Sequence, residues 1–303
     1  MYHDFTYQAT LASSLRGAWE LDDVLRADQD LDFSRHFMPE SLARTGELVT
    51  LTAGEQRLLN QIAAHEYLGM FGIVEEFILP FLFDHARPAL SGDDWRVRAI
   101  INFASEEAKH IHLFKRFRDA FKRGFPVECQ LIGPSDAIGA KVLSFDPLAV
   151  ALLILMIEWM TQQHYLGSIR DDRAIDPLFK SLLKHHWIEE AQHAKLDTLM
   201  VQDLAKDLTQ QQFKQAVDGF LEIGAFLDTG MKQQAKLNLD ALERKIKRRL
   251  PENERNELLE QQRRALRWTY LGSGLRHDKF RATIGAISPA QLLRIDSIAP
   301  SFS

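Results

Sequence analysis

Hydrophobic residues recur at three- and four-residue spacing along most of this chain, and strict alternation over the length of a strand is hard to find. The three-to-four spacing is typical of helices that bury one face or lie wholly inside a protein. Glycine and proline are sparse (16 and 10 residues) and cluster between the periodic stretches. The pattern predicts helices near 54–86, 93–123, 145–170, 176–206, 210–249 and 252–271, with a short one at 289–296.

Several of these helices begin at recognisable start signals. Asp-Pro pairs at 146–147 and 176–177 and a Ser-Pro pair at 288–289 each place proline at a first helical position. Residues 91–94 (SGDD) supply capping side chains before the second long helix. The start signals therefore support the helices that the hydrophobic period predicts.

Four long helices joined by two short connections and a longer one at 124–144 predict an antiparallel bundle. No Pro/Ser-rich linker precedes residue 207, so the later residues are interpreted as helices added to the bundle rather than as a free domain. The expected fold class is all-α, a four-helix bundle with additional C-terminal helices. Its expected parts are an N-terminal extension packed on the bundle (1–53), the bundle (54–206) and a C-terminal helical layer (207–303).

Composition excludes several classes of partner. The 303 residues carry 37 Lys and Arg against 42 Asp and Glu, a formal charge of −5, which is too mild for a polyanion-binding surface. The basic stretch at 244–249 is flanked by acids and indicates a solvated helix face, so no nucleic-acid partner is expected. The longest uninterrupted apolar run, 148–157, is shorter than the roughly 20 residues that span a bilayer. The amino terminus lacks a signal-peptide pattern, so we expect a soluble cytoplasmic protein without a membrane partner.

Cysteine usage limits the chemistry of any metal site. Cys129 is the single cysteine, so the chain can form neither an internal disulfide nor an all-cysteine metal site. A metal site here must therefore use histidine and carboxylate ligands, which suit iron or manganese better than structural zinc.

A duplicated motif carries the candidate chemistry. Residues 105–110 (SEEAKH) and 188–193 (IEEAQH) share one signature, and each contains a Glu-x-x-His pair that occurs nowhere else in the chain. Side chains three residues apart lean over one helix face and can hold one metal ion. A single pair is a weak signal that also fits a surface glutamate and a partly buried histidine, but its repetition favours metal binding. The pairs are Glu107 with His110 and Glu190 with His193.

Each pair is preceded by a carboxylate on the previous helix. Glu76 lies 31 residues before Glu107, and Glu158 lies 32 before Glu190, which places facing residues at similar heights in two hairpins. Glu75 fits nearly as well as Glu76, which the matching spacing prefers. Glu158 interrupts the most apolar helix of the chain, where a charge is costly unless it is paired or binds a metal. The alternative is a helix-end glutamate that reaches solvent.

This ligand order over 54–206 resembles that of the ferritin-like di-iron carboxylate proteins, in which two helices give one Glu each and two others give Glu-x-x-His. The resemblance implies two iron ions, with manganese as an alternative, and O2 as co-substrate. It assigns Glu76, Glu107 and His110 to one ion and Glu158, Glu190 and His193 to the other, with Glu107 and either Glu190 or Glu158 bridging.

The same resemblance implies roles for two further acids. Many members carry an acid immediately before the Glu of Glu-x-x-His, hydrogen-bonded to a ligand imidazole of the other repeat. Glu106 and Glu189 occupy those positions, although Asp is commoner there in the family. Such an acid fixes the tautomer of the ligand and raises its basicity. A solvated acid is the alternative for each.

His186 makes the resemblance to one family within this class more specific. It lies four residues before Glu190 and seven before His193, so the three side chains project from one helix face. The motif His-x3-Glu-x-x-His resembles the second metal site of the p-aminobenzoate N-oxygenase family, which implies that His186 is a third imidazole ligand of that site. The alternative is a polar helix residue beside His185.

The function expected from these resemblances is an O2-activating di-iron oxygenase or oxidase that acts on a small organic substrate, with an amine as one candidate. It would need an external electron donor, and a homodimer is expected. A ferroxidase or iron-storage protein, a manganese catalase and a purely structural helical protein are the alternatives. So is a ribonucleotide-reductase-small-subunit-like protein, for which Tyr165 is the candidate redox tyrosine.

Overall fold

The helical prediction is confirmed by the computed structural model, which describes residues 3–26 and 28–302. Within these ranges every extended regular element is a helix, and β-pairing is limited to one isolated bridge between His36 and Ile175. The α-helices, in chain order, are α1 (Tyr7–Gly17), α2 (Leu21–Val24), α3 (Glu40–Ala43), α4 (Ala53–Ala86), α5 (Asp94–Gly124), α6 (Ser135–Leu143), α7 (Pro147–His164), α8 (Pro177–Ala205), α9 (Gln210–Ile246), α10 (Glu252–Arg267), α11 (Ser273–Leu275), α12 (Asp278–Ile287) and α13 (Pro289–Ile298).

The four long bundle helices begin where their side chains cap the first turn. At α4, Thr52 and Glu55 form a reciprocal capping box. The side chain of Asp93 caps α5, and those of Asp146 and Asp176 cap α7 and α8, each followed by proline at the first helical position. These polar residues satisfy backbone N–H groups that have no partner inside the helix.

The bundle consists of two hairpins, α4 against α5 and α7 against α8, with α5 also contacting α8. Helix α7 is enclosed because α8, α9, α11 and α12 all pack on it. Every residue from Leu148 to Gln162 is buried, which explains why this helix is apolar around its whole circumference. The one acid in that run, Glu158, is therefore inside the protein.

The added helices cover the bundle on different sides. Helix α1 packs on α5 and α8, whereas α9 packs on α4 and α7, and α10 lies against α9. The division at residues 53 and 206 stays a prediction, since these segments pack closely on one another. No helix in the described residues combines the length and the apolar character that crossing a membrane requires.

Two predicted helices differ in detail from those observed. The predicted helices 145–170 and 252–271 each end in a π-helical segment, Tyr165–Ile169 and Trp268–Gly272. The short helices α1, α2, α3, α6, α11 and α12 were not predicted, because one to three turns give too few repeats to establish a period.

Candidate metal centre

Histidine and glutamate side chains from all four bundle helices converge in the interior. Each is at most 2% exposed to solvent. Helix α4 contributes one, α5 two, α7 one and α8 three. These seven residues, called the His/Glu cluster below, are Glu75, Glu107, His110, Glu158, His186, Glu190 and His193.

Glu190 lies at the centre of the cluster. Its Oε1 atom is 3.2 Å from Nδ1 of His110, 3.2 Å from Nε2 of His186 and 3.2 Å from Nδ1 of His193. Three imidazole nitrogens thus surround one carboxylate oxygen. This places Glu190 where it can share in two metal positions.

Two groups of four ligand atoms can be drawn from the cluster, and in each the atoms lie within 4.8 Å of one another. Both groups contain His110 and Glu190. Glu75 and His186 complete the first, and their Oε1 and Nε2 atoms are 3.1 Å apart. Glu107 and His193 complete the second, with 2.8 Å between Oε1 and Nδ1.

The position preferred for the first-helix carboxylate was wrong by one residue. Glu76 has an exposed side chain on the outer surface of α4, whereas Glu75 is buried in the cluster. Consecutive residues of a helix differ by about 100° in direction, so only one of the two can face the bundle interior. Chain spacing alone left both open.

Glu158 is buried beside Glu190 but belongs to neither group of four. Burial, together with the negative charge of Glu190, raises the pKa of Glu158 well above its ordinary value. The structure therefore brings this carboxylate to the cluster and leaves its own ligand role as a prediction.

His186 falls in a different half of the cluster from the one that the resemblance implied. The N-oxygenase pattern groups it with Glu158 and His193, but its Nε2 atom lies against Glu75 and its ring centroid is 4.7 Å from that of His110. The reason is the rise of α8, because seven residues at 1.5 Å each place His186 two turns, or about 10 Å, before His193 along the helix.

Unpartnered buried atoms test whether these residues fit metal ions. Buried polar atoms in proteins are nearly always hydrogen-bonded. In this cluster, both carboxylate oxygens of Glu107 and one oxygen each of Glu75, Glu158 and Glu190 have no hydrogen-bond partner. Nδ1 of His110 and of His193 are also without one. Oxygen and imidazole donors that face one another without partners are the set that two divalent cations would satisfy, so the residues fit a di-metal site.

The acids that precede each Glu-x-x-His glutamate make crossed hydrogen bonds to the imidazoles. Nε2–H of His193 donates to Glu106 at 2.9 Å, and Nε2–H of His110 donates to Glu189 at 2.7 Å. Each bond joins α5 to α8, as the resemblance implied. Because Nε2 of each ring is bound to an acid, Nδ1 is the nitrogen that faces the cluster and that could bind a metal ion.

Electrostatics within the cluster are strongly coupled. Burial would raise the pKa of Glu190, but the charge of His186 above all, with a hydrogen bond from Glu158 and the charge of His193, leaves it well below its ordinary value. Burial and the charge of Glu107 raise the pKa of Glu75 to about 8. Burial favours neutral His186, but the charge and hydrogen bond of Glu190 raise its pKa to about 8. The acids therefore compete for positive charge, which protons or metal ions can supply.

Some residues around the cluster were not predicted. Asp197 lies one turn after His193 on α8 and is buried, so the i, i+4 spacing could have indicated it. Ser14 donates a hydrogen bond to Glu106, and Trp19 stacks on His110 with ring centroids 5.9 Å apart. Lys109 donates to both Glu189 and the backbone carbonyl of Trp19. The contacts of the N-terminal residues arise from packing, and no local pattern signals them.

Comparisons with known proteins leave the chain without an assigned family. No family model matches its sequence, and no curated protein matches it. Solved structures with some likeness include R2-like ligand-binding oxidase variants. One, with an anaerobically reconstituted Mn/Fe cofactor, has a TM-score of 0.48 and 13% identity and covers 91% of this chain and 94% of its own. Another, with an aerobically reconstituted Fe/Fe cofactor, has a TM-score of 0.48 and 14% identity and covers 86% of this chain and 91% of its own. Likenesses this weak assign neither fold nor activity.

The class of the site follows from the chain's own geometry. One Glu comes from each of two helices and Glu-x-x-His from each of the other two, around the axis of a four-helix bundle. This is the arrangement of the ferritin-like di-iron carboxylate proteins.

Proposed function

We propose that this protein is an O2-activating di-iron oxidase or oxygenase that acts on a small organic substrate. The observation that carries the proposal is a set of unpartnered carboxylate and imidazole atoms that converge in the interior, on residues that are at most 2% exposed to solvent. A core that held these groups without cations would pay a large desolvation cost. Two iron ions, or manganese with iron, would supply the redox chemistry with O2.

The protein's part is to hold the ligands in fixed positions. Glu190, in contact with three imidazoles, is the proposed bridging ligand. Glu106 and Glu189 keep the Nε2 protons of the two Glu-x-x-His imidazoles, and so direct both Nδ1 atoms inward. Lys109 lies 2.5 Å from Glu189 and offsets the charge of that acid.

Aromatic side chains close the cluster to water. Phe103 stacks on His193 with a centroid distance of 3.9 Å. Phe71 and Phe114 meet the ring of His186 edge-on, at 5.4 and 5.1 Å. A dry apolar wall protects reactive oxygen species from side reactions with solvent, which favours an oxidase over a hydrolytic site.

The substrate is the finer part of the proposal. The motif formed by His186, Glu190 and His193 resembles that of the p-aminobenzoate N-oxygenase family, and this resemblance supports an amine substrate, with N-oxygenation as the reaction. We further propose a homodimer and an external electron donor. An iron-storage role predicts a large cage instead, and size-exclusion chromatography separates a dimer from a cage.

The test is anaerobic titration with Fe(II), followed by metal analysis and exposure to O2. We expect two ions per chain and an O2-dependent charge-transfer absorption. Glu190→Gln should lower the stoichiometry below one ion per chain, because Glu190 belongs to both groups of four ligand atoms. Zn(II) is the control, because it binds similar donors but has no redox chemistry, so it should give no absorption with O2.

Fewer than two ions per chain, together with no absorption on exposure to O2, would contradict the proposal. If two ions bind but no reaction with O2 follows, the metal site is supported and the proposed oxidase activity is contradicted. Screening amines against alcohols and aldehydes of matched size, with product detection by mass spectrometry, then tests the substrate class.

A further inference from the structure

A cavity lies at a different height of the bundle from the His/Glu cluster. It has a volume of about 700 Å³ and lies between α4, α5, α9 and the connection that follows α5. Its lining includes His65 of α4 and Arg118 of α5. His65 precedes Glu75 by ten residues, so at 1.5 Å per residue the cavity is about 15 Å from the cluster along α4. Groups bound here are too far away to react at the cluster.

Two buried nitrogen atoms in this lining have no hydrogen-bond partner. His65 is 2% exposed, and its Nδ1 atom is unpartnered. Nε of Arg118 is likewise buried without a partner. Burial and the nearby charges of Arg118 and Lys122 lower the pKa of His65 to about 3, so the imidazole is neutral and surrounded by positive charge. These groups lack a partner that could accept hydrogen bonds and carry negative charge.

Positive charge exceeds negative charge around the cavity. Arg118 and Lys122 line it together with a single acid, the exposed Glu128. Lys245 of α9 lies 4.6 Å from the ring centroid of Phe125, another lining residue. Two further acids are close by: Asp119, paired with Lys122 at 3.3 Å, and Glu76, whose charge acts on Arg118. Neither satisfies the buried Nε of Arg118.

The rest of the lining is apolar and partly aromatic. Phe121 and Phe125 stack with centroids 4.8 Å apart, and Phe121 also lies 4.8 Å from the ring of His65. Val127 and Leu237 extend this surface. A site with an apolar wall and a few convergent polar groups is the usual form of a small-molecule pocket. The combination of aromatic wall and unpaired guanidinium selects an anion with an apolar body.

Arg118 also connects this cavity to a smaller one. A space of about 310 Å³ on the α4–α5 surface shares Arg118 with it and is lined by Gly72 and Glu76. A Cβ added at Gly72 would meet no atom within 4 Å, whereas one at Gly69 would lie 2.2 Å from Leu131. Gly72 therefore borders open space, and Gly69 serves close packing.

We propose that the larger cavity is a binding site, separate from the metal centre, for a small organic anion with an aromatic body. Its acidic group binds the guanidinium of Arg118 and the imidazole of His65, and its ring packs on Phe121 and Phe125.

Isothermal titration calorimetry of the purified protein with four probes tests this site. Phenylacetate, phenethylamine and phenylethanol share a ring and differ in charge, and inorganic phosphate is an anion without a ring. We expect saturable binding of phenylacetate that is at least tenfold tighter than that of each of the other three. Arg118→Gln should weaken phenylacetate binding at least tenfold.

Variants on the same helix separate this site from others. Lys122→Glu alters an exposed residue that lines the cavity, so it should fold even if Arg118→Gln does not, and it should also weaken binding. Arg123→Gln is the matched control, because Arg123 pairs with Asp30 and does not line the cavity. Its affinity should stay within twofold of the unsubstituted protein.

Three results would overturn the proposal. If phenylacetate shows no saturable binding, the cavity is not a binding site for such anions. Affinity unchanged in both Arg118→Gln and Lys122→Glu would place the bound molecule elsewhere. Inorganic phosphate binding as tightly as phenylacetate would show that the aromatic wall has no part in recognition.

Discussion

Two buried glutamates on α4, nine residues apart, accommodate their burial differently. Glu66 accepts a hydrogen bond from the hydroxyl of Tyr270 at 2.7 Å, and burial raises its pKa to about 8. The pKa of Glu75 is also about 8, but its surroundings hold Glu107 and two imidazoles, and one of its oxygens has no partner.

The difference shows which buried acids call for metal ions. Glu66 is a single carboxyl that can keep a proton and accept a bond from tyrosine, so its site is complete within the protein. The His/Glu cluster contains four carboxylates with several unpartnered oxygens, and one proton on each cannot satisfy atoms that face one another. Four predictions test this contrast, from the largest expected effect to the smallest.

Metal removal should have the largest effect. We expect a chelator to lower the melting temperature of the Fe(II)-loaded protein by about 10 °C, because metal binds only the folded arrangement and an ion at 1,000 times its Kd adds about 4 kcal/mol. Differential scanning fluorimetry with and without chelator measures this. Glu66→Gln should show the same loss, since Glu66 lies outside the cluster. An identical melt with and without metal would remove the distinction between the two regions.

Substituting each of two neighbouring acids in turn should distinguish the buried face of α4 from its exposed face. Glu75→Gln should weaken binding of one ion about 100-fold or more, because it removes an anionic donor from a buried group of four. Glu76→Gln changes an exposed side chain and should alter affinity less than twofold. Metal analysis after equilibrium dialysis against a range of free Fe(II) gives both values. The opposite order would return Glu76 to the ligand set.

The pH dependence of stability should distinguish Glu66 as the protonated acid. Its folded-state pKa of about 8 exceeds the ordinary value of 4.5, so the folded protein holds this proton more tightly than the unfolded chain. Its contribution to stability is therefore complete below pH 4.5 and is lost as the pH rises to about 8.

Glu66→Gln mimics the protonated acid and still accepts from Tyr270. Relative to this variant, the unsubstituted protein should lose about 2 to 3 kcal/mol of unfolding free energy between pH 5 and pH 7. Urea denaturation of both proteins at each pH measures the difference. If the difference does not change with pH, Glu66 is ionised in the folded state.

The crossed hydrogen bonds should have the smallest effect. Glu189→Gln keeps an acceptor for His110 but removes the negative charge that makes the imidazole a stronger donor to metal, so we expect about a tenfold loss of metal affinity. Glu106→Gln should act similarly through His193 and serves as the matched variant in the other repeat. Competition titration with a coloured chelator detects changes of this size. Unchanged affinity in both would reduce these acids to structural links between α5 and α8.

Sequence reasoning reached much of the bundle and most members of the cluster. Long helices carry their period and caps locally, so α4, α5, α7 and α8 could be located from hydrophobic spacing, with Asp-Pro starts at α7 and α8. The repeated Glu-x-x-His and a lone acid in an apolar helix are also local features. They predicted five of the seven cluster residues. The ligand role of His186 and the crossed bonds of Glu106 and Glu189 came from family resemblances.

Tertiary structure decided which faces and segments meet. A one-residue uncertainty in helix phase turns a side chain by about 100°, so only the packing of α4 on α5 selects Glu75 over Glu76. The contacts of Ser14 and Trp19, the partner of Glu66 and the cavity at Arg118 join residues far apart in sequence. Such contacts depend on how whole helices pack, which no local pattern encodes. The amino-acid sequence by itself thus determined the long helices and most residues of the His/Glu cluster, whereas the packed bundle determined which of these donors lie together and where the cavity at Arg118 forms.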